Sequence, residues 1–552
     1  MMESIEEVAY KMRWKLFHFK KDKRKKLSHT FQVNNEEDQP IHLNNNIAEE
    51  NSSNNEFYGL RSNLQAPKDP DLRPFENDLV LAASHLIKRN FKSNFQDQIK
   101  EIELNLRKTD KIVISSDKTD NHYLISKEDY LTHLRNCITK SYKKSSIEEV
   151  HNADYEAACL AKQLGLEWRL EKTALKCAFI TVKVHKEGWP KRLTFRLINP
   201  MKSNIGKISK VILERINKDL RRQLELNQLI STKEVITWFQ NIKDKKKKTF
   251  FQADIENFYP SISEELLRKA LTWAKDQTYI SDTAVDIIFS ARRNVLYDGD
   301  NIWVKKNNSK FDIGMGAFDG AECSELIGLY MLFQLVIEAE VIGKEEICLY
   351  RDDILGTLSC DGPNMDRKRK DIIRIFKNEG LSVTCEINLK TVKFLDVCFN
   401  LENNSYKPYH KPNSKVQYVS TGSNHPKLVL DNIPIGINQR LSSISSDLNA
   451  FDSEKNAFQD ALIHAGHKFN MNFNNQQRKK RLGNINFNNL HQLNCDNNKR
   501  IRKNIIWLNQ PFNLYSVTHI RRIFGDLVDK HFSRWNYLGK LFNENKLEVS
   551  YK

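Results

Sequence analysis

Three aspartates stand where packing alone would favour apolar side chains. Asp352 and Asp353 follow an arginine in the stretch LYRDDIL, between apolar runs at residues 347–350 and 354–358. Two such runs around a short polar bend predict a β-hairpin that exposes both carboxylates at one end of a sheet. Because carboxylates a few Å apart resist joint ionisation, the pair requires a counter-charge, which a divalent cation supplies.

A third acid, Asp254, comes at the end of a short apolar strand. In TFFQADIENFYPSIS the apolar residues lie at 250–253, and a helical pattern follows in which Ser261 and Glu264 predict a capping box. Asp254 is thus predicted at the carboxyl end of a strand. That position would allow it to meet the acids of the hairpin.

Acidic side chains of this kind predict a magnesium site. Carboxylate oxygens suit Mg²⁺, which keeps several waters and takes other ligands from substrate phosphates. Two such ions about 3.5–4 Å apart can activate an attacking hydroxyl and stabilise a leaving oxygen. The prediction is nucleotidyl transfer with two Mg²⁺ (or Mn²⁺) ions, for which Asp254, Asp352 and Asp353 are both the metal ligands and the catalytic residues.

The composition of the chain fits a polyanionic partner. Its 552 residues include 87 Lys and Arg against 70 Asp and Glu, which gives a formal charge of +17 and a pI near 9.2. Neutralised phosphates release counterions and so favour association, although charge alone leaves the partner open. The nine cysteines form no CxxC pair, which argues against a zinc ribbon or a disulfide framework. No secretory signal and no apolar span of about 20 residues is found, so we expect an intracellular protein without a membrane partner.

The order of the acids, Asp254 first and the Asp352–Asp353 pair later, resembles motifs A and C of palm-domain polymerases. The wider match, over about residues 69–551, resembles the reverse transcriptases of Penelope-like retroelements. FDIGMGAFDGAECSELIGLYML resembles their motif B, FLDV and SNHP resemble their downstream segments, and ISSDKTDNHYLIS resembles their upstream DK motif. Motif B departs from the family pattern: Gly314 replaces its first proline and Ala317 its first serine. These departures could alter processivity or fidelity.

The resemblance implies a set of nucleotide-binding residues. Tyr259 stands five residues after Asp254, where reverse transcriptases carry an aromatic steric gate against the 2′-hydroxyl; the alternative is a core tyrosine before a helix. Gly314 and Gly316 would let the backbone approach a base pair. FITVKVHKEGWPKRLTFRLINP resembles the fingers motif, in which Arg196 and Lys183 would hold the triphosphate.

Basic residues near the carboxyl end are predicted to grip template and primer. Sequence-tolerant binding uses phosphate-directed cations and stacked aromatic rings. The alternative is a solvated, disordered tail. The predicted contacts are Arg478, Lys479, Lys480, Arg481, Arg500, Arg502 and Lys503.

We therefore expect an α+β fold, a right-hand polymerase with fingers, palm and thumb, a helical N-terminal extension and a basic helical C-terminal region. The expected division is a disordered, basic tail at 1–68, the extension at 69–170, and fingers and palm at 171–400. Primer grip and thumb follow at 401–470, and a basic thumb extension at 471–552. KKDKRKK at residues 20–26 resembles a nuclear localisation signal, so a nuclear location is expected, with a cytoplasmic one as the alternative.

The predicted activity is RNA-directed DNA synthesis from dNTPs on a DNA primer and an RNA template. A rival is a catalytically retired nucleic-acid-binding scaffold, and a third interpretation is an RNA-dependent RNA polymerase. The sequence shows no GIY-YIG pair, so the protein is expected to lack that endonuclease and to depend on a separate one for a nick. The sequence does not predict an oligomeric state.

Overall fold

The structure is a computed structural model that describes most of the chain. It describes residues 2–31, 64–87, 94–119, 121–184, 186, 188–306, 310–359, 362–410, 416–474, 505–510, 520–533, 535, 537–542 and 547–551.

Helices and strands alternate through the described part of the chain. The helices are α1 (Met2–Phe31), α2 (Arg73–Ile87), α3 (Asn94–Arg107), α4 (Lys127–Ser141), α5 (Glu148–Gln163), α6 (Gly206–Leu224), α7 (Thr232–Asn241), α8 (Phe258–Ser261), α9 (Glu264–Gln277), α10 (Asp282–Ser290), α11 (Gly320–Phe333), α12 (Gly362–Asn378), α13 (Lys427–Ser443), α14 (Leu448–His464), α15 (Ile520–His531) and α16 (Tyr537–Leu541). The strands are β1 (Lys111–Ser115), β2 (His122–Ser126), β3 (Tyr142–Ser145), β4 (Phe179–Val182), β5 (Phe195–Ile198), β6 (Thr249–Ile255), β7 (Leu296–Tyr297), β8 (Ile302–Lys305), β9 (Ile347–Tyr350), β10 (Asp353–Leu358), β11 (Val383–Leu389), β12 (Thr391–Phe394), β13 (Val397–Asn400), β14 (Ser405–Pro408), β15 (Ile506–Gln510) and β16 (Leu547–Tyr551).

A four-stranded antiparallel sheet in the order β11-β6-β10-β9 forms the centre of the fold. We call it the palm sheet. Side chains alternate between its two faces along β6, so that Phe251, Ala253 and Ile255 are buried together on one face. Phe250 is buried on the other face. Apolar side chains on both faces mean that the sheet must be covered on both sides.

Two different layers cover the palm sheet. Helices α6, α9, α10, α11 and α12 pack their apolar stripes on the face that carries Phe251. Helix α7 and a second antiparallel sheet, in the order β12-β13-β14, pack on the face that carries Phe250. The expected α+β class is confirmed, and the layout is consistent with the right-hand arrangement of fingers, palm and thumb.

Helix α11 and the single π-helical turn that follows it are the most apolar part of the structure. Among the described helices, this one (Gly320–Glu338) alone is long and apolar enough to cross a membrane. More than half of the stretch is buried inside the protein. Burial against α6 and α9 accounts for its composition, since a core helix is apolar on most of its surface.

The predicted boundary at 170/171 falls inside a packed unit. Ile114 of β1 and Ile138 of α4 share one apolar cluster with Ile180 and Val182 of β4. Strand β3 pairs with β8, which also crosses this boundary. The strand, turn and strand expected around the DK stretch are found as β1 and β2, and they pack with β4 and β5.

The interpretation of residues 1–68 as a disordered tail is wrong for residues 2–31, which form α1. Helix α1 buries Ile5, Val8, Met12 and Leu16 in one cluster with α2, α15 and the parallel pair β15–β16. Apolar residues at helical spacing make this stripe, and its partners β15, α15 and β16 lie about 490 residues or more away in the chain. Residues 32–63 lie outside the described part.

The start of α9 also differs from the prediction. Ser263, rather than Ser261, is the N-cap, and its side-chain oxygen accepts a hydrogen bond of 3.0 Å from the Leu266 backbone nitrogen. Ser261 instead ends α8, where its hydroxyl donates to the Phe258 carbonyl at 2.8 Å. Along the chain, the extra turn α8, which contains Tyr259, separates β6 from α9.

Candidate active site

All three predicted acids meet at one edge of the palm sheet. Asp254 is the next-to-last residue of β6 and Asp353 is the first residue of β10, and the two are direct register partners. Partners of this kind project to the same face with Cβ atoms about 4.5–5.5 Å apart. Asp352 lies in the adjoining turn, where its carbonyl accepts a hydrogen bond of 3.2 Å from the Ile255 nitrogen.

The turn that carries Asp352 is short and locally strained. Tyr350 pairs with Asp353, so only Arg351 and Asp352 connect β9 to β10. Arg351 has a φ of +56°, a left-handed conformation that costs L residues other than glycine about 1–2 kcal/mol. Its guanidinium lies 5.6 Å from the centre of the Tyr350 ring. Strain of this kind is concentrated at functional sites.

The electrostatics of the site favour a bound cation. Asp254 reaches solvent, but the protein around it removes part of its hydration, and this desolvation raises the pKa of its carboxyl. The Asp352 carboxylate raises that pKa further, while Lys118 and Lys186 act in the opposite direction. The acids therefore repel one another when ionised, and a divalent cation would relieve the repulsion.

Within the described ranges, no three His, Cys, Asp or Glu side chains stand ready as a complete metal cage. The donor set nevertheless fits Mg²⁺, because this ion binds through one or two carboxylates and completes its shell with water and phosphate oxygens. Asp254, Asp352 and Asp353 are all carboxylates on one sheet edge that is partly open to solvent.

The structure places Tyr259 against the start of α11. It belongs to α8, which follows Asn257 at a φ of +49°. A Cβ at Gly320, the first residue of α11, would lie 3.6 Å from the Tyr259 ring carbon Cε1. The half-buried ring thus packs against the start of α11.

The two motif B glycines face protein rather than open space. Gly316 has a φ of +117°, and a Cβ there would lie 2.4 Å from the Asn199 carbonyl oxygen. A Cβ at Gly314 would lie 3.5 Å from Asn199 Cβ, an ordinary contact. Asn199 donates its backbone N–H to the Met315 carbonyl at 3.0 Å. Close approach to the fingers backbone is a structural reason for Gly316, and contact of either glycine with a base pair remains a prediction.

Gly316→Ala should therefore be far more damaging than Gly314→Ala. The first change adds both a forbidden φ and a clash with backbone, which we expect to destabilise the protein by about 1–3 kcal/mol. The second adds an ordinary contact. Urea unfolding of the two proteins measures the difference, and equal free energies of unfolding would contradict the close approach.

A buried ion pair that sequence reasoning missed supports the start of α11. Arg292 is 0% exposed and Asp319, which precedes α11, is 1% exposed; their guanidinium and carboxylate are in contact. Burial opposes the charge of Arg292, but the Asp319 carboxylate more than offsets this and raises the pKa of Arg292. In the sequence, ARRN looks like an exposed basic pair, so no signal indicated the burial.

A second buried acid, Asp312, fixes the loop before Gly314. Its carboxylate accepts a hydrogen bond of 2.8 Å from the Tyr142 hydroxyl and lies 3.1 Å from the Lys305 ammonium. Its backbone N–H donates to the Arg292 carbonyl at 2.9 Å. Residues from β3, from β8 and from the segment after α10 thus hold the motif B loop in place.

The predicted phosphate-binding residues lie close together: Arg196 is on β5, and Lys183 directly follows β4. Arg196, on β5, forms an ion pair of 3.0 Å with the buried carboxylate of Asp117. Burial lowers the pKa of Lys183, and Arg196 lowers it further. Lys186 and Lys118 also lower the pKa of Lys183, and sequence reasoning did not select Lys118 as a site residue. The DK pair in the strand-turn-strand segment was the signal that pointed to Asp117 and Lys118.

The chain matches no family model and no curated protein. Among solved structures, it is similar to telomerase from Candida albicans in complex with a fragment of telomeric RNA, at 12% identity and a TM-score of 0.47, over 82% of this chain and 78% of that one. It is similar to the RNA-dependent RNA polymerase of a human picobirnavirus at 11% identity and a TM-score of 0.40, over 75% of this chain and 87% of that one. It is similar to the RNA-dependent RNA polymerase of bacteriophage phi12 at 13% identity and a TM-score of 0.34, over 60% of this chain and 58% of that one. Each of these three TM-scores is below 0.5, so the function proposed below rests on the geometry of the site.

The predicted nucleic-acid contacts near the carboxyl end lie outside the described residues. These are Arg478, Lys479, Lys480, Arg481, Arg500, Arg502 and Lys503. The described residues on either side belong to the cluster formed by α13, α14 and the segment after them, and to the cluster that contains α1.

The FLDV segment and its neighbours connect the palm sheet to helices α7 and α13. Asp396 accepts a hydrogen bond of 2.6 Å from the Thr232 hydroxyl at the start of α7. The same carboxylate lies 2.5 Å from the Arg440 guanidinium of α13. Nearby, the Gln252 amide on β6 donates to the Lys393 carbonyl at 3.1 Å. The predicted primer-grip region is therefore bonded both to β6, the strand that carries Asp254, and to α13.

Proposed function

We propose that this protein is an RNA-directed DNA polymerase of the Penelope-like kind, which adds dNTPs to a primer 3′-hydroxyl. The observation that carries the proposal is the pairing of Asp254 with Asp353 across β6 and β10, with Asp352 in the adjoining turn. Three carboxylates from two distant segments share one open sheet edge, next to a cationic cluster and an aromatic side chain.

Each residue has a distinct task in this proposal. Asp254, Asp352 and Asp353 would hold two Mg²⁺ or Mn²⁺ ions, which when bound activate the attacking hydroxyl and stabilise the leaving oxygen. Arg196 and Lys183 bind the triphosphate and orient it for in-line attack.

Template and primer would occupy the face of the palm sheet next to the primer-grip strands. Asp254 and Asp353 project to the same face as Phe250 and Leu355, on which β12, β13 and β14 pack. Lys393 lies 5.0 Å from the centre of the Tyr409 ring at the edge of these strands. A cation and an aromatic ring at this edge suit a nucleic-acid backbone and its bases. We propose an RNA template and a DNA primer as partners, in the nucleus, with a separate endonuclease to supply the nick.

Tyr259→Ala is expected to weaken discrimination against ribonucleotides. In this proposal the ring, which lies against the start of α11, packs under the incoming sugar, so its removal would open space for a 2′-hydroxyl. Removal of a steric block of this size should reduce the dNTP over rNTP preference in kcat/KM by roughly tenfold or more. Phe258→Leu, which alters the buried neighbour, is the matched control. An unchanged preference in Tyr259→Ala would argue that the ring is only part of the core.

Primer extension by the purified full chain tests the proposal as a whole. We expect dNTP incorporation on a primed RNA template that depends on Mg²⁺ or Mn²⁺. Salt-sensitive RNA binding without any incorporation on several primed templates would favour the retired scaffold. A preference for rNTPs would favour an RNA-dependent RNA polymerase instead.

A further inference from the structure

A turn upstream of the fingers carries part of a cationic cluster beside the candidate active site. The cluster consists of Lys118, Lys183, Lys186 and Arg196 around one buried acid, Asp117. The first two members of this set along the chain, Asp117 and Lys118, belong to the turn between β1 and β2, whereas the other three belong to the fingers.

The turn is fixed to the fingers by its backbone. Ser116 forms an isolated parallel bridge with Val182 at the end of β4, and the Asp117 N–H donates to the Val182 carbonyl at 2.7 Å. Within the turn, the Ser116 N–H donates to the Asn121 carbonyl at 2.9 Å and its hydroxyl donates to the Thr119 carbonyl at 2.8 Å. These bonds set the position of residues 117 and 118 relative to β4 and β5.

Asp117 orients Arg196 through an ion pair. Its side chain is 9% exposed, and Oδ1 lies 3.0 Å from Arg196 Nη1. Oδ2 is buried and has no hydrogen-bond partner among the described residues. A buried carboxylate holds the guanidinium that pairs with it, because separation would leave the carboxylate desolvated without this partner. The remaining N–H groups of Arg196 stay available for an anion.

Lys118 is held in a conformation that lysine rarely adopts. Its φ is +70°, in the left-handed region, and its side chain is exposed. The charge of its ammonium lowers the pKa of both Lys183 and Asp254, so Lys118 is close enough to act on the cationic cluster and on the acids. A polyphosphate that spans metal-binding acids and a set of cations would occupy this space.

We propose that Lys118 is a further contact for the triphosphate of the incoming nucleotide, and that Asp117 positions Arg196 for the same anion. This inference rests on the function proposed above. The upstream hairpin is then part of the nucleotide site, although it lies more than 130 residues before Asp254 in the chain.

The test compares variants of Lys118 with a lysine at the opposite end of the same hairpin. Lys118→Ala and Lys118→Gly both remove the ammonium, and glycine adopts the turn without strain. Lys118→Arg restores a cation, and Lys111→Ala removes an exposed lysine from the far end of β1. The measurements are KM for dNTPs, kcat, the Kd of the primed RNA template, and calorimetric titration with tripolyphosphate.

We expect Lys118→Ala and Lys118→Gly to raise KM for dNTPs and weaken tripolyphosphate binding by roughly tenfold, with the Kd of the primed template unchanged. Lys118→Arg should recover most of the loss, and Lys111→Ala should behave as the parent. An unchanged KM in Lys118→Ala, recovery in Lys118→Gly, or an equal loss of template affinity would each overturn the assignment. The last result would indicate a template phosphate contact.

The role of Asp117 is tested by a double-variant cycle. Asp117→Asn should raise KM for dNTPs in the parent but add nothing in an Arg196→Ala background, because it acts through that arginine. Independent, additive effects would overturn the positioning role. If the parent protein incorporates no nucleotide at all, the proposed function fails, and tripolyphosphate titration of Lys118→Ala against Lys111→Ala still decides the present inference.

Discussion

Asp352→Asn is expected to reduce dNTP incorporation by roughly a thousandfold or more, without loss of primed-template binding. The substitution keeps the size of the side chain but removes one of the charges that hold a cation at the sheet edge. Burial and then the Asp352 carboxylate raise the pKa of Asp254, so Asp254 ionises more readily in the variant, but one of the three proposed ligands has lost its charge. Single-turnover primer extension measures the rate, and filter binding measures the template affinity.

Asp366→Asn is the matched control for this change. Asp366 lies on α12, forms only surface ion pairs with Arg369 and Lys370, and takes no part in the site. The rate of dNTP incorporation by Asp366→Asn should stay close to that of the parent protein. Near-parental incorporation by Asp352→Asn would show that this carboxylate is not needed for the reaction.

Arg292→Ala is expected to cost about 3–5 kcal/mol of unfolding free energy, the largest stability effect that we predict. The change leaves the Asp319 carboxylate buried at 1% exposure without its counter-charge. Since Asp319 precedes α11, the motif B loop should lose order before the rest of the palm does. Urea unfolding of the full chain measures the loss.

The neighbouring arginine provides the control. Arg293 pairs with Glu156 at the surface, and pairs of this kind contribute about 0–1 kcal/mol, so Arg293→Ala should be nearly neutral. The double variant Arg292→Met with Asp319→Leu should recover much of the loss, because it buries no charge. A loss in Arg292→Ala no greater than that in Arg293→Ala would contradict a desolvated ion pair.

The hairpin of the acids was predictable because its signals are local. Two apolar runs around a two-residue bend determine β9 and β10, and the short strand before Asp254 determines β6. Pairing of β6 with β10 brings residues from two distant segments together; the position of Asp254 at the end of a strand allowed this meeting, and the family resemblance indicated it. The α9 cap differed by two residues because serine occurs at both 261 and 263, and the extra turn α8 decides between them.

The remaining features depend on contacts between distant segments. Helix α1 has a sequence rich in charge, and its apolar stripe becomes informative only beside β15 and α15. Arg292 and Asp319 are each ordinary surface residue types, and their burial follows from how α10 and α11 pack. The side on which Gly316 meets Asn199 likewise depends on the fingers strands. Sequence patterns of one segment carry no information about such partners.

The most direct test of the central claim replaces Mg²⁺ with Fe²⁺ in the full chain and detects local backbone cleavage in the presence of ascorbate and peroxide. If Asp254 and the turn at Asp352 hold the same pair of ions, cuts should occur together near residue 254 and near residues 351–353, and both should disappear in Asp352→Asn. Cleavage at one segment without the other, or cuts that persist in Asp352→Asn, would contradict a metal site shared by these strands.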